Sequence, residues 1–128
     1  MKNVEECMVL VEQYRSKKWW LAKGIMYTLG EFSSVEFDYN TMMKLTDNGK
    51  KLLGFWHTHP NWTSSPSWTD FDTMNAWTSM LGKNLQCLIE GIDGCYNHQY
   101  RFSKLTNVAA DSREKFYRLG NWFFGRVT

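Results

Sequence analysis

The chain has 128 residues and three histidines, and two of the three stand two residues apart in Gly54-Phe55-Trp56-His57-Thr58-His59-Pro60. On a strand, side chains at i and i+2 share a face, so the imidazoles of His57 and His59 can converge on one point. Pro60 ends the ladder and releases the chain into a loop. Ten residues separate His59 from Asp70, in Ser67-Trp68-Thr69-Asp70. A loop of that length can fold back and bring the carboxylate to the pair. Two imidazoles and a carboxylate form an N/O donor set suited to Zn²⁺. Three protein ligands leave a fourth tetrahedral position for water, which marks a catalytic rather than a structural site. A blander reading covers part of this. Ser67-x-x-Asp70 is also a helix-start pattern, with the serine accepting from a first-turn amide and an acid suited to the helix dipole. Capping accounts for Ser67 and Asp70; it does not account for His57, His59 or Pro60.

The elements that must position these residues follow from periodicity and punctuation. Residues 4–14 and 19–29 read as strands that could form a hairpin. Ser34 to Tyr39 alternates apolar and acidic residues, the period of a half-exposed strand. Asn40 can cap a helix through Leu45. Leu52 to Trp56 is a short buried strand feeding the histidines. Residues 60–66 form a loop, and Ser67 to about Leu81 a helix with Phe71, Met74 and Trp77 on one face. Leu85–Ile92 and Cys95–Phe102 read as strands joined by a turn at Gly91-Ile92-Asp93-Gly94. About residues 111–125 form a last amphipathic helix, serving as core or sheet cover, with self-association as the second choice. One α/β domain spanning 1–128 fits, its mixed central β-sheet flanked by helices.

The string from Gly54 to Pro60, followed by Ser67 to Asp70, resembles the JAMM (MPN+) metallopeptidase family. That family's signature is an upstream Glu, then His-x-His-Pro, then Ser-x-x-Asp at the spacing seen here. The resemblance covers about residues 4–102, and the compact form looks like bacterial or phage members. It implies a cytidine-deaminase-like JAMM/MPN fold and one zinc ion per chain held by His57, His59 and Asp70. It also implies that Ser67 stabilises the oxyanion and that an upstream glutamate serves as general base. Glu5, in Val4-Glu5-Glu6-Cys7-Met8-Val9-Leu10, matches that glutamate best, although Met8 stands where the family usually has Gly. Glu6, Glu31 and Glu36 are the alternatives. The activity implied is hydrolysis of an amide or isopeptide bond, with ubiquitin-like proteins among the substrates. Alternatives are a non-catalytic protein-binding scaffold of the MPN type, or a phage assembly or anti-defence peptidase of the same chemistry. Trp62, in a polar loop, and Trp68 are expected to line a substrate groove.

Composition narrows the rest. A hydrophobic share of 43% and an aromatic share of 16% argue for a packed core and against disorder. With 15 Lys plus Arg against 13 Asp plus Glu, charge gives no strong pull toward nucleic acid or a membrane surface. No stretch approaches the roughly 20 apolar residues of a membrane span. Three unpaired-looking cysteines and the lack of an apolar leader point to a reducing cytoplasm, which the resemblance implies is that of a bacterium or a phage-infected host. The expected partner is a protein or peptide substrate.

Overall fold

The computed structural model describes residues 4–35, 37–47, 51–102 and 109–127. Among these, seven strands and two helices follow in the order β1 (Glu6–Arg15), β2 (Trp19–Leu29), α1 (Tyr39–Asp47), β3 (Lys51–Thr58), α2 (Trp68–Leu81), β4 (Leu85–Gly91), β5 (Gly94–Arg101), β6 (Ala109–Leu119) and β7 (Trp122–Arg126). The strands close into a barrel, β1-β2-β7-β6-β5-β4-β3, with β3 pairing back onto β1. This corrects the expected open, cytidine-deaminase-like mixed sheet flanked by helices: the fold is mostly β and has no open sheet edge.

Closure depends on the segment expected as a C-terminal helix. Residues 111–125 instead lie in the β6–β7 hairpin, turned at Gly120, whose φ of 61° suits glycine. The aromatic residues alternate rather than follow a helical stripe. Phe116 and Phe123 are buried, whereas Tyr117, Trp122 and Phe124 are exposed. Strand β7 pairs with β2 from Trp19↔Arg126 to Lys23↔Trp122, across about one hundred residues of sequence, and this pairing completes the barrel.

Inside the barrel, Met8, Leu10, Trp20, Trp56, Leu88, Phe116 and Phe123 pack together. The alternate residues of β1, β3 and β4, namely Cys7, Val9, Phe55, Cys87 and Ile89, face outward into a second core with Met42 of α1 and Met74 and Trp77 of α2. Thus one side of the barrel is covered by helices, and that side carries the histidines. Of segment 34–39, expected as a strand, the described residues form none: Ser34 lies in a turn and Tyr39 already opens α1. Asp38, rather than Asn40, caps that helix, accepting from the Asn40 amide at 3.2 Å and the Thr41 hydroxyl at 2.7 Å.

Strands β3 and β4 are parallel and connected through α2, so the chain must travel from one end of the barrel back to the other. Gly54 makes the close pairing possible. At φ 151° its missing side chain leaves room for the Gln86 backbone, which a Cβ would overlap. Among the described residues no helix is long and apolar enough to cross a membrane.

Candidate metal centre

Strand β3 delivers His57 between two neighbours, paired with Cys7 of β1 and Ile89 of β4. His59 lies just past the strand end, where its N–H donates to the Glu90 carbonyl at 2.8 Å. Both imidazoles are buried. The chain then reverses: the Trp62 N–H donates to the His59 carbonyl at 3.2 Å around Pro60 and Asn61, the latter at φ 62°. Proline followed by a positive-φ asparagine is the pattern of a type II turn. It sets the Trp62 ring 5.3 Å from the His59 ring.

Helix α2 supplies the carboxylate. Ser67 caps it, accepting from the Asp70 N–H at 3.0 Å, while Asp70 Oδ2 accepts from the Ser67 N–H at 3.0 Å. The same Oδ2 lies 2.8 Å from His59 Nε2 and 3.2 Å from His57 Nε2. The two Nε2 atoms are 3.2 Å apart. The capping reading of Ser67-x-x-Asp70 is realised, and the reciprocal cap fixes a carboxylate that faces the histidines.

Hydrogen-bond roles define what this triangle can hold. A carbonyl only accepts, so His59 Nδ1–H donates to the Thr63 carbonyl at 2.7 Å. In the neutral ring this leaves a lone pair on Nε2, aimed at an acceptor oxygen 2.8 Å away. Two acceptors at that distance need a cation between them, a proton or a metal ion. Burial pulls His59 toward the neutral form, but Asp70 and the Thr63 carbonyl outweigh it and raise its pKa. Burial likewise pushes the Asp70 carboxyl up, yet the bonds to His57 and His59 hold it well below the usual carboxylate range. Tetrahedral ligands with bonds of about 2.0–2.1 Å put donor atoms about 3.3 Å apart. His57 Nε2 stands near that separation from both partners, 3.2 Å from each, while the 2.8 Å between His59 Nε2 and Asp70 Oδ2 is shorter and a hydrogen-bond distance.

Glu5 completes the cluster, its carboxylate within 4.8 Å of both histidine donors. Its Oε2 accepts from the Phe32 N–H at 2.7 Å, and its Oε1 stands 3.8 Å from His59 Nε2. Glu5 thus sits farther from His59 than Asp70 does, tethered through one oxygen and open at the other. Among the alternatives, Glu6 is turned to the Tyr27 hydroxyl at 2.7 Å. Glu31 lines the cleft, and Glu36 lies outside the described residues. Ser67 also lines the cleft, its hydroxyl 2.9 Å from that of Thr69. The cleft encloses about 580 Å³ and is walled by Glu5, His59, Trp62, Ser67 and Asp70 among others. Trp68 does not border it but stands in an adjoining pocket.

Several positioning residues escaped the sequence reading. Phe32 stacks flat on His57, centroids 4.4 Å apart at 9°, while its amide holds Glu5. Cys87 Sγ lies 3.9 Å from His57 Nδ1, so the ring's second nitrogen faces a thiol. The loop that carries Thr63 is docked on the β4–β5 turn. Asp93 accepts from the Ser64 N–H at 2.7 Å and lies 3.1 Å from its hydroxyl. His98 donates from Nε2 to the Ser64 carbonyl at 2.9 Å. Gly91 lets the loop backbone approach where a Cβ would meet Thr63 and Trp62. The signal available in sequence was the Gly91-Ile92-Asp93-Gly94 turn, read there only as a strand connection.

The model of the family described as prokaryotic homologs of the JAB domain matches residues 2–104. No curated protein matches the chain. Among solved structures, the solution structure of protein DSY2949 from Desulfitobacterium hafniense is 16% identical, with 84% of this chain and 75% of that chain covered and a TM-score of 0.38. Because the matched stretch runs over most of the chain and contains Glu5, His57, His59, Ser67 and Asp70, the protein belongs to the family of prokaryotic JAB-domain homologues.

Proposed function

We propose that this protein is a zinc-dependent hydrolase of amide or isopeptide bonds, acting on proteins or peptides, with ubiquitin-like tails among the candidate substrates. The observation that carries the reading is the triangle of His57 Nε2, His59 Nε2 and Asp70 Oδ2 beside the Glu5 carboxylate in an open cleft. One zinc ion per chain fits, held by His57, His59 and Asp70. When bound, it supplies a Lewis acid that polarises a carbonyl and makes water acidic near neutral pH.

The remaining steps belong to the chain itself. Glu5 takes a proton at Oε1, the oxygen that Phe32 leaves unbound, and returns it to the leaving amine. The Thr63 carbonyl and Cys87 sulfur fix the ring orientations of His59 and His57, so that both Nε2 atoms face the centre. Ser67 accepts from the helix amide and keeps its own proton to donate to the carbonyl oxygen as charge develops there. Trp62 and Trp68 contact substrate.

The test is cleavage of a ubiquitin-like fusion and of a peptide mixture by zinc-loaded protein, with and without chelator. Glu5→Gln should retain zinc and lose cleavage. Asp70→Asn should lose both. Cleavage that survives chelation, or Glu5→Gln with wild-type rate, contradicts the proposal.

A further inference from the structure

Beside the cleft lies a second pocket of about 480 Å³, lined by Trp62, Pro66, Ser67, Trp68, Phe71 and Tyr100. It shares two walls with the metal cleft, Trp62 and Ser67. Its lining is aromatic on several sides. Phe71 and Tyr100 pack against each other at its base, ring centroids 5.8 Å apart. At its mouth Trp68 is 87% exposed and Trp62 50% exposed. A tryptophan at a helix start, adjacent to the capping serine and almost fully in water, is not explained by packing within this chain. Among the described residues, no carboxylate, amine or guanidinium lines the pocket.

The cleft also meets, at Ser33 and Thr69, a groove along α2 that carries Asp72 and Thr73. A chain lying in the cleft beside His59 and Asp70 would therefore have within reach both a groove bearing a carboxylate and the aromatic pocket. Ser67 borders both the reacting centre and that pocket. A side chain seated there would belong to a residue next to the bond being cut.

We propose that the Trp62–Trp68 pocket is a specificity pocket that selects substrates carrying a bulky apolar or aromatic side chain beside the cleaved bond. The inference rests on the hydrolase reading above and narrows its substrate class. Trp62 and Trp68 supply two aromatic walls, Phe71 and Tyr100 the floor. Glycine or a charged residue at that position gains nothing from the pocket. Sequestering a Phe- or Leu-sized side chain is worth about 10- to 100-fold in kcat/KM.

Two measurements test this and separate its failure from that of the hydrolase reading. First, zinc-loaded wild-type protein is incubated with a proteome-derived peptide mixture and the cut sites are read by mass spectrometry. Enrichment of Phe, Trp, Tyr, Leu or Met at one position adjoining the cut is expected, and Trp68→Ala should flatten it while Trp68→Phe retains it. Second, the indole N–H signals of Glu5→Gln protein are followed by NMR during titration with N-acetyl-tryptophanamide or N-acetyl-glycinamide. The Trp68 signal is identified by its absence in the Glu5→Gln/Trp68→Ala variant. Only the tryptophan amide should shift the Trp62 and Trp68 signals. Cleavage without apolar enrichment, or with enrichment unchanged in Trp68→Ala, overturns the proposal, as does a titration with no shift. Absent cleavage together with the indole shifts removes the hydrolase reading and leaves the pocket's ligand class standing.

Discussion

Gly91→Ala probes how the metal centre is held without touching any donor. In the native structure a Cβ at this position would lie 2.5 Å from Thr63 C and 2.7 Å from Trp62 O, where ordinary contact begins at 3.4 Å. The loop must therefore recede by about 1 Å, and it carries the carbonyl that receives His59 Nδ1–H. A bond of 2.7 Å lengthened by that amount passes out of hydrogen-bonding range. His59 then loses the contact that sets its tautomer and its tilt toward Asp70. Overpacking of this kind costs about 1–3 kcal/mol of stability, and loss of an outer-shell partner about 10- to 100-fold in metal affinity. Affinity is read by competition with a chromophoric zinc chelator, and stability by urea unfolding of the metal-free protein. Gly82→Ala is the control. Its φ of 63° makes alanine strained, but a Cβ there meets nothing within 4 Å. It should lose about 1 kcal/mol with zinc affinity unchanged. A Gly91→Ala protein that is destabilised yet binds zinc as tightly as wild type would refute the claim that the docked loop orients His59.

Other outcomes follow from the same geometry. Burial pushes up all three thiols, Cys7 to about 12, but Cys7 and Cys87 are fully buried whereas Cys95 is only half-buried. Ellman's reagent should thus find one reactive thiol in the native protein and three after denaturation, and Cys95→Ser should abolish the native reaction. Burial holds His98 below its ordinary value of 6.5 despite its bond to Ser64. Its contribution to stability is accordingly present above pH 6.5 and is lost as pH falls from there through the folded value. In the metal-free protein, urea midpoints at pH 7.5 and 5.5 should differ less for His98→Gln than for wild type; an unchanged difference contradicts this. Gly54→Ala, which drives a side chain into the Gln86 backbone, should abolish the folded circular dichroism signal.

The donor set was legible because it is local. His57 and His59 share a strand face by period two, and Asp70 follows at a loop length that allows return. Strand β2 and helix α2 were equally plain, the former from its apolar run between Lys18 and Gly30, the latter from its cap and the Gly82 stop. Residues 111–125 were not. Phe116, Leu119 and Phe123 stand at helical spacing, which suggested a helix, and the Gly120-Asn121 pair that turns the hairpin was overlooked. Barrel closure has no local signature at all, since β2 and β7 meet only in space. The family match ends at residue 104, before that hairpin begins, which is why a resemblance carried by residues 4–102 did not anticipate it. Phe32 and the Ser64–Asp93–His98 dock were hidden for a related reason: they act on the histidines through contacts between distant segments.

The most direct test is the zinc content of protein purified under neutral conditions and dialysed against metal-free buffer, measured by plasma mass spectrometry. Wild type should retain close to one zinc per chain, Glu5→Gln the same, and His59→Ala and Asp70→Asn almost none despite folded circular dichroism spectra. Equal zinc in all four proteins, or none in wild type even after zinc is supplied, would contradict the account.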